Sequence, residues 1–184
     1  MATLSTTAWV LHDLGLAAGF GGNLFGQLAL NPAVKAVDSK RERGKVTHVA
    51  WDRYKAVNAL SLAAIAGTWL VGRTILSGRE VGRESRRLTL IKDILVAGAV
   101  ASGVGSLITG SLLDRAMGRG ELAIESGHEP AAETTPRVRR LQRSVNTLGI
   151  LNIGFQAAVM AATTTLAMNA GKSSKWSLVS RLLP

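Results

Sequence analysis

Two pairs of carboxamides stand inside apolar stretches of this chain. Asn23 and Gln27 lie one helical turn apart, and Asn152 and Gln156 repeat that spacing in the similar strings NLFGQLA and NIGFQAA. An amide that faces hydrocarbon has no partner, so such pairs turn toward protein. Two chemistries follow. One is an interhelical hydrogen-bond clamp, worth ~0.6 kcal/mol or a little more per bond. The other is a polar lining for a small solute or ion. The clamp asks for less, since each amide then needs only its neighbour.

His12 and Asp13 begin another apolar run. Asp13 suits the positive end of a helix dipole. His12 is the candidate for a metal or haem ligand, the chemistry that a neutral imidazole performs. It lacks companions, because His48 belongs to a basic connection and His128 to a polar one, and no HxxxH spacing occurs. Lys92 and Asp93 mark the boundary of a third run and read as a boundary pair rather than a proton relay. With no cysteine, thiolate metal sites and cysteine nucleophiles are excluded. The glycine-rich string GFGGNLFG does not follow a strand, and no G-x-x-x-x-G-K-[ST] is present, so nothing cradles a phosphate. The expectation is no catalytic constellation, no metal and no cofactor.

The elements that hold these residues are set by hydropathy. Of 184 residues, 47% are hydrophobic and 18% charged, and the charges sit in blocks between apolar runs. Runs near twenty residues match the ~30 Å hydrocarbon core at ~1.5 Å per residue. The sequence predicts an all-α, polytopic transmembrane four-helix bundle in one membrane domain, 1–184, with spans at about 9–30, 57–76, 94–113 and 148–170. Pro32 should end the first, because the residue before proline avoids helical geometry. Trp51 and Tyr54 are expected at a lipid boundary. The connection at about 120–136, polar and interrupted by Pro130 and Pro136, should be mobile. Residues 174–183 should form a short interfacial helix carrying Trp176.

Small residues recur at four-three-four spacing in three spans: Gly15, Gly19, Gly22 and Gly26; Gly98, Ser102, Gly105 and Thr109; Gly154, Ala158, Ala161 and Thr165. That spacing lines one helix face, where another helix can approach closely. The expected partners are the lipid bilayer and a further copy of the chain or another membrane protein.

A net charge of +10 does not point to nucleic acid here, since DNA-binding domains lack repeated uncharged runs of this length. The basic blocks instead hold a topology. Connections one and three carry thirteen Lys/Arg against nine elsewhere, which favours those two inside and both termini outside. The place expected is a bacterial inner membrane.

The opening LHDLGLAAGFGGNLFGQLALNPAV, followed by a basic loop and WDRYKAVN, resembles that of small four-helix bacterial membrane proteins of uncharacterised function, a broad look that the copper-resistance D and HemJ-type protoporphyrinogen oxidase families share. The likeness rests on His12, Gly21, Gly22 and Pro32 and covers the first third. It implies the four-helix membrane fold. Phe20 stands where such proteins carry tryptophan before the glycine pair, and no second membrane histidine carries over a haem or metal. The functions expected are a scaffold or accessory subunit acting through helix packing, then a small-solute or ion transporter component, then a haem- or metal-dependent enzyme.

Overall fold

The computed structural model describes residues 2–75, 83–118 and 123–179. Four long helices carry the chain: α1 (Ala2–Phe25), α2 (Lys40–Ile75), α3 (Arg83–Ala116) and α4 (Pro136–Val179). Among the described residues three segments, Lys40–Thr74, Arg87–Ala116 and Pro136–Met168, are long and apolar enough to cross a membrane. α1 is not among them, because His12, Asp13, Asn23 and its glycines dilute its apolar character.

The helices overrun the predicted spans at the basic end. α2 starts at Lys40, capped by Ser39 Oγ, which accepts from Glu42 N at 3.4 Å. α4 starts at Pro136, where the missing N–H costs nothing. α3 closes on Gly118, whose φ of 56° lies in the left-handed region that glycine enters freely. At ~1.5 Å per residue, the 36 residues of α2 reach about 54 Å, well beyond a ~30 Å core. α4 also runs through Gly171 to Val179 without the break expected near 170. One glycine costs only ~1 kcal/mol against alanine and does not stop a helix. The side chains of the tail expected at 174–183, Trp176 included, lie outside the described residues.

Pro32 does not stop the first helix either. A π-turn, Gly26–Leu30, precedes it, and Asn31 N–H reaches back to Gly26 O while keeping helical angles (φ −61°, ψ −41°). The widened turn absorbs the proline, whose ring and missing N–H would otherwise break the ladder. The backbone turns extended only at Val37 (φ −83°, ψ 126°).

α1 packs along α2 and α3 along α4, with α1 also meeting α4 and α2 meeting α3. The core begins as one apolar layer with a residue from each helix: Leu16, Ile65, Val96 and Val159.

The small-residue stripes have three different fates. On α1, a Cβ at Gly15 would lie 3.0 Å from Ala64 Cβ and 3.1 Å from Ser61 O, a true backbone approach. Gly19, Gly22 and Gly26 instead make room for side chains: Gln156, the Tyr54 ring and the Trp51 ring, which a Cβ would meet at 2.8, 2.3 and 2.3 Å. So Trp51 and Tyr54 are seated in notches of α1. They stand edge to face at 5.9 Å, and Tyr54 Oη donates to Ala18 O at 2.8 Å. On α3, Gly98 receives the Phe155 ring, Ser102 is buried, and Gly105 meets Leu148, while Thr109 is half-buried and bonded to Gly105 O. On α4 the stripe points outward: Gly154 meets nothing, Ala161 and Thr165 are exposed, and Ala158 is half-buried. The buried face of α4 is Gly149, Asn152, Gln156, Val159 and Thr163. The amides took the inward face, and the small residues between them were carried outward by the helical period.

The connection expected to be mobile is docked over its described part. Ile124 N donates to Lys40 O at 3.1 Å and Gly127 N to Asn31 O at 3.0 Å. Ile124, Ser126 and Ala131 are buried. The polar composition that suggests mobility supplies backbone and side-chain partners for the basic first connection instead. Lys40 binds the Glu125 carboxylate, and Lys35 pairs with Glu129 at 3.1 Å. The hydrogen bond from Lys40, with the fields of Arg43 and Lys35, holds the Glu125 carboxyl below the usual carboxylate range. A depressed folded-state value means that this contribution is present at neutral pH and lost as pH falls through it. Protection of the Ile124 amide from hydrogen exchange, corrected for intrinsic rate, should therefore hold at neutral pH and fall at an acid pH where the Glu125 carboxyl is protonated. Glu125→Gln should remove the difference between the two. Equal protection at both pH values in the wild type would refute the link.

Candidate polar cavity

The carboxamides predicted from spacing meet across helices. Asn152 Oδ1 accepts from Asn23 Nδ2 at 3.1 Å and from Gln156 Nε2 at 2.7 Å, and Asn152 Nδ2 donates to Ala99 O at 2.7 Å. Asn23, Asn152 and Gln156 are all buried. Asn58 of α2 reaches the same group, its Oδ1 3.5 Å from Asn23 Nδ2, and Ser102 Oγ of α3 lies 3.4 Å from Asn152 Nδ2. Every helix thus contributes to one buried polar layer. Gln27 does not join it, since its Oε1 accepts from His128 Nε2 of the docked connection at 2.6 Å.

Below this layer, toward the basic end, the four helices part around a cavity of about 120 Å³. A water needs roughly 10–15 Å³ by the same measure, so several fit. Its wall mixes apolar side chains, among them Leu107, Leu113, Met117 and Val145, with polar groups from every helix. From α1 and the turn after it come Asn23, Gln27 and Asn31; from α2, Thr47, His48, Lys55 and Asn58; from α3, Ser106 and Asp114; from α4, Gln142 and Asn146. Ile124 and Gly127 close it from the connection. Asp114 is the charged centre: its carboxylate binds Lys55 and accepts from His48 Nδ1 at 3.1 Å. Because a carboxylate only accepts, Nδ1 carries the proton and a neutral His48 keeps a lone pair on Nε2. Asn31, drawn inward by the π-turn, accepts from Trp51 Nε1 at 3.0 Å.

Two polar atoms of the wall, Thr47 Oγ1 and Gln142 Oε1, are buried without a hydrogen-bond partner. An orphaned buried polar atom costs ~1–3 kcal/mol, a cost that a polar occupant of the cavity relieves.

His48, Lys55, Asn58, Asp114, Gln142 and Asn146 are the residues that spacing does not reveal. Asn58 carried a signal, as a lone amide in the first turn of an apolar run. The others sit on helix that extends beyond the spans: His48 and Lys55 in VTHVAWDRYKAV, which reads as an amphipathic helix, and Asp114, Gln142 and Asn146 in what reads as connection.

The opposite end holds the remaining predicted residues. His12 is buried, with Nδ1 2.9 Å from Thr68 Oγ1. Asp93 does not pair with its neighbour Lys92; it accepts from Trp69 Nε1 at 2.8 Å and pairs with Arg73 at 3.0 Å. Lys92 lies over the Trp9 ring, 5.1 Å from its centroid. Among the described residues no group of three His, Cys, Asp or Glu side chains gathers to hold a metal. Comparison of the chain with protein-family models, with curated proteins and with solved structures finds no match.

Proposed function

We propose that the chain is an integral membrane protein, a bundle of four spanning helices, that binds a small polar solute in the cavity at its basic end, as a transporter or channel component. The cavity carries this reading, with its wall drawn from all four helices and its two unpartnered buried atoms. Its one strong charge pair, Lys55 with Asp114, is internally neutral, so the fitting solute is uncharged or zwitterionic. The membrane setting is supported by large apolar side chains exposed on every helix: Leu14, Phe25, Leu28, Leu60, Ile94, Ile108 and Ile150. An aqueous surface rarely carries so many.

Thermal stability in detergent, measured across a panel of polyols and neutral amino acids, tests the binding. At least one class should raise the midpoint, and Asn58→Leu, which removes a wall amide without touching the charge pair, should abolish the rise. No shift with any member, together with no retained small mass in native mass spectrometry, would remove the solute reading.

The orientation that accompanies this proposal puts connections one and three in the cytoplasm. The chain has no cysteine, so single cysteines at Ser39 and Thr6 report cleanly. Ser39→Cys should label only from the inside and Thr6→Cys only from the outside; the reverse pattern inverts the topology.

A second reading is favoured by the outward stripe Gly154, Ala158, Ala161 and Thr165 on α4, which suits a partner helix and an accessory-subunit role. Light scattering of Gly154→Leu tests it, since a complex held by that face should dissociate.

A further inference from the structure

Six carboxamides line the cavity, and each bonds to the protein through one end and keeps the other. Backbone carbonyls only accept, which fixes which end is which. Asn152 donates to Ala99 O at 2.7 Å, so its oxygen receives Asn23 Nδ2, and Asn23 keeps Oδ1. Asn58 faces Asn23 Nδ2 with its own oxygen at 3.5 Å and keeps Nδ2. Asn146 donates to His128 O at 3.0 Å and keeps Oδ1, while Gln27 accepts from the His128 ring and keeps Nε2. Gln142 donates to Gly127 O at 3.4 Å and keeps Oε1, which is buried and unpartnered. Asn31, whose backbone carbonyl receives Gly127 N, accepts from Trp51 and keeps Nδ2.

These amides are ordered in levels. Asn23 meets Asn58, Asn146 and Gln27 share His128, and Gln142 and Asn31 share Gly127. Asn23, Gln27 and Asn31 stand four residues apart along the chain, as do Gln142 and Asn146 on α4. The wall therefore repeats at about one helical turn, ~5.4 Å. Among the described residues each level is left with one acceptor and one donor: Asn23 Oδ1 with Asn58 Nδ2, Asn146 Oδ1 with Gln27 Nε2, and Gln142 Oε1 with Asn31 Nδ2. A hydroxyl answers both from a single oxygen. The charges of the wall are already taken, since Lys55 binds Asp52 and Asp114, and Asp114 binds Lys55 and His48. Size sets the last limit. An apolar cavity of ~150 Å³ takes benzene, so one of about 120 Å³ takes a solute of about five or six non-hydrogen atoms.

We propose that the cavity binds a small neutral polyol, a three-carbon triol of the size of glycerol, whose hydroxyls pair with the donor and acceptor of successive levels. Resting on the solute reading of the cavity, this names its substrate class. A zwitterion finds no unpaired charge for either end. A small amide answers one level and leaves the next unpaired, whereas the terminal hydroxyls of a three-carbon chain reach across one helical turn. A six-carbon polyol has twice the non-hydrogen atoms that the volume holds. Thr47 Oγ1, buried on the same wall without a partner, supplies a further hydroxyl contact.

Saturation-transfer NMR on the full chain in detergent tests this, with glycerol, acetamide, glycine and mannitol as separate probes. Glycerol should receive saturation at least several-fold more strongly than the other three. Two variants tie the signal to the cavity. Thr47→Val removes a hydroxyl that bonds nothing in the protein, and Gly110→Leu fills the cavity from a position where an added Cβ meets nothing within 4 Å. Both should keep the thermal midpoint measured without solute and lower the glycerol signal several-fold, and Thr47→Ser should retain it. A glycerol signal unchanged in both variants, or matched by mannitol, overturns the proposal. Signals from acetamide or glycine that equal or exceed glycerol's overturn the triol and leave the solute reading standing. Absence of transfer to all four probes removes the triol and the solute reading together.

Discussion

Asn152→Leu should destabilise the folded protein by about 2–4 kcal/mol, the cost of leaving two buried amides, Asn23 and Gln156, without their common acceptor. Leucine has asparagine's number of side-chain heavy atoms and a larger volume, so the substitution opens no cavity and the loss does not report one. Membrane hydrogen bonds average only ~0.6 kcal/mol because the unfolded state also finds partners, which pulls the expectation toward the lower end. Unfolding in mixed detergent micelles measures it. Asn146→Leu, which removes one bond to His128 O from a half-buried side chain, should cost under about 1 kcal/mol. The pair Asn23→Leu with Asn152→Leu should cost less than the sum of the singles, because the second change removes a group already orphaned by the first. Strict additivity would mean that the two amides do not share one network.

Gly26→Ala and Gly154→Ala should move stability in opposite directions. At Gly26 a methyl would stand 2.3 Å from the Trp51 ring, which cannot withdraw without giving up its bond to Asn31. The expected loss is about 1–3 kcal/mol, the range for overpacking. At Gly154 the same methyl meets open space, and alanine's better helix propensity should stabilise by about 0.5–1 kcal/mol. Thermal midpoints of both variants decide this. A loss at Gly154 of the size seen at Gly26 would show that the outward stripe of α4 is covered in the native assembly, as the accessory-subunit reading requires.

The long apolar helices and a clamp of amides between them were legible because each follows from one variable, the hydropathy of a residue at a known angle around a helix. The count of spans was not, since four were expected and, among the described residues, three helices are apolar enough to cross a membrane. Spacing marked Asn23, Gln27, Asn152 and Gln156 as a set but not which meets which: Asn23 bonds to Asn152, while Gln27 turns to His128. The α4 stripe failed for the same reason that the clamp succeeded. Gly154 and Asn152 cannot both face inward, and a buried amide has more to lose by facing out than a glycine does. Pro32 misled because a rule about single residues ignores what a π-turn immediately before it, Gly26–Leu30, can absorb. The cavity was illegible because the charged residues of its wall, His48, Lys55 and Asp114, lie outside the spans, where nothing in their spacing brings them together, and because the connection that closes it looked unstructured. Composition shows what a segment cannot bury by itself, but not what a neighbouring segment offers it.

The docking of that connection also imposes an order of events during synthesis. α1 and α2 can meet as soon as both have emerged, with Tyr54 and Trp51 in their notches, since every group in that contact lies within the first 75 residues. The carbonyls of Asn31 and Lys40 must then wait for Gly127 and Ile124, more than eighty residues later. Until the ribosome delivers them, the basic end of the hairpin is open and its Asn31 and Trp51 are accessible from that side. A nascent chain arrested before residue 120 should therefore be a labelling-competent, insertase-accessible intermediate, and one arrested after α4 should not.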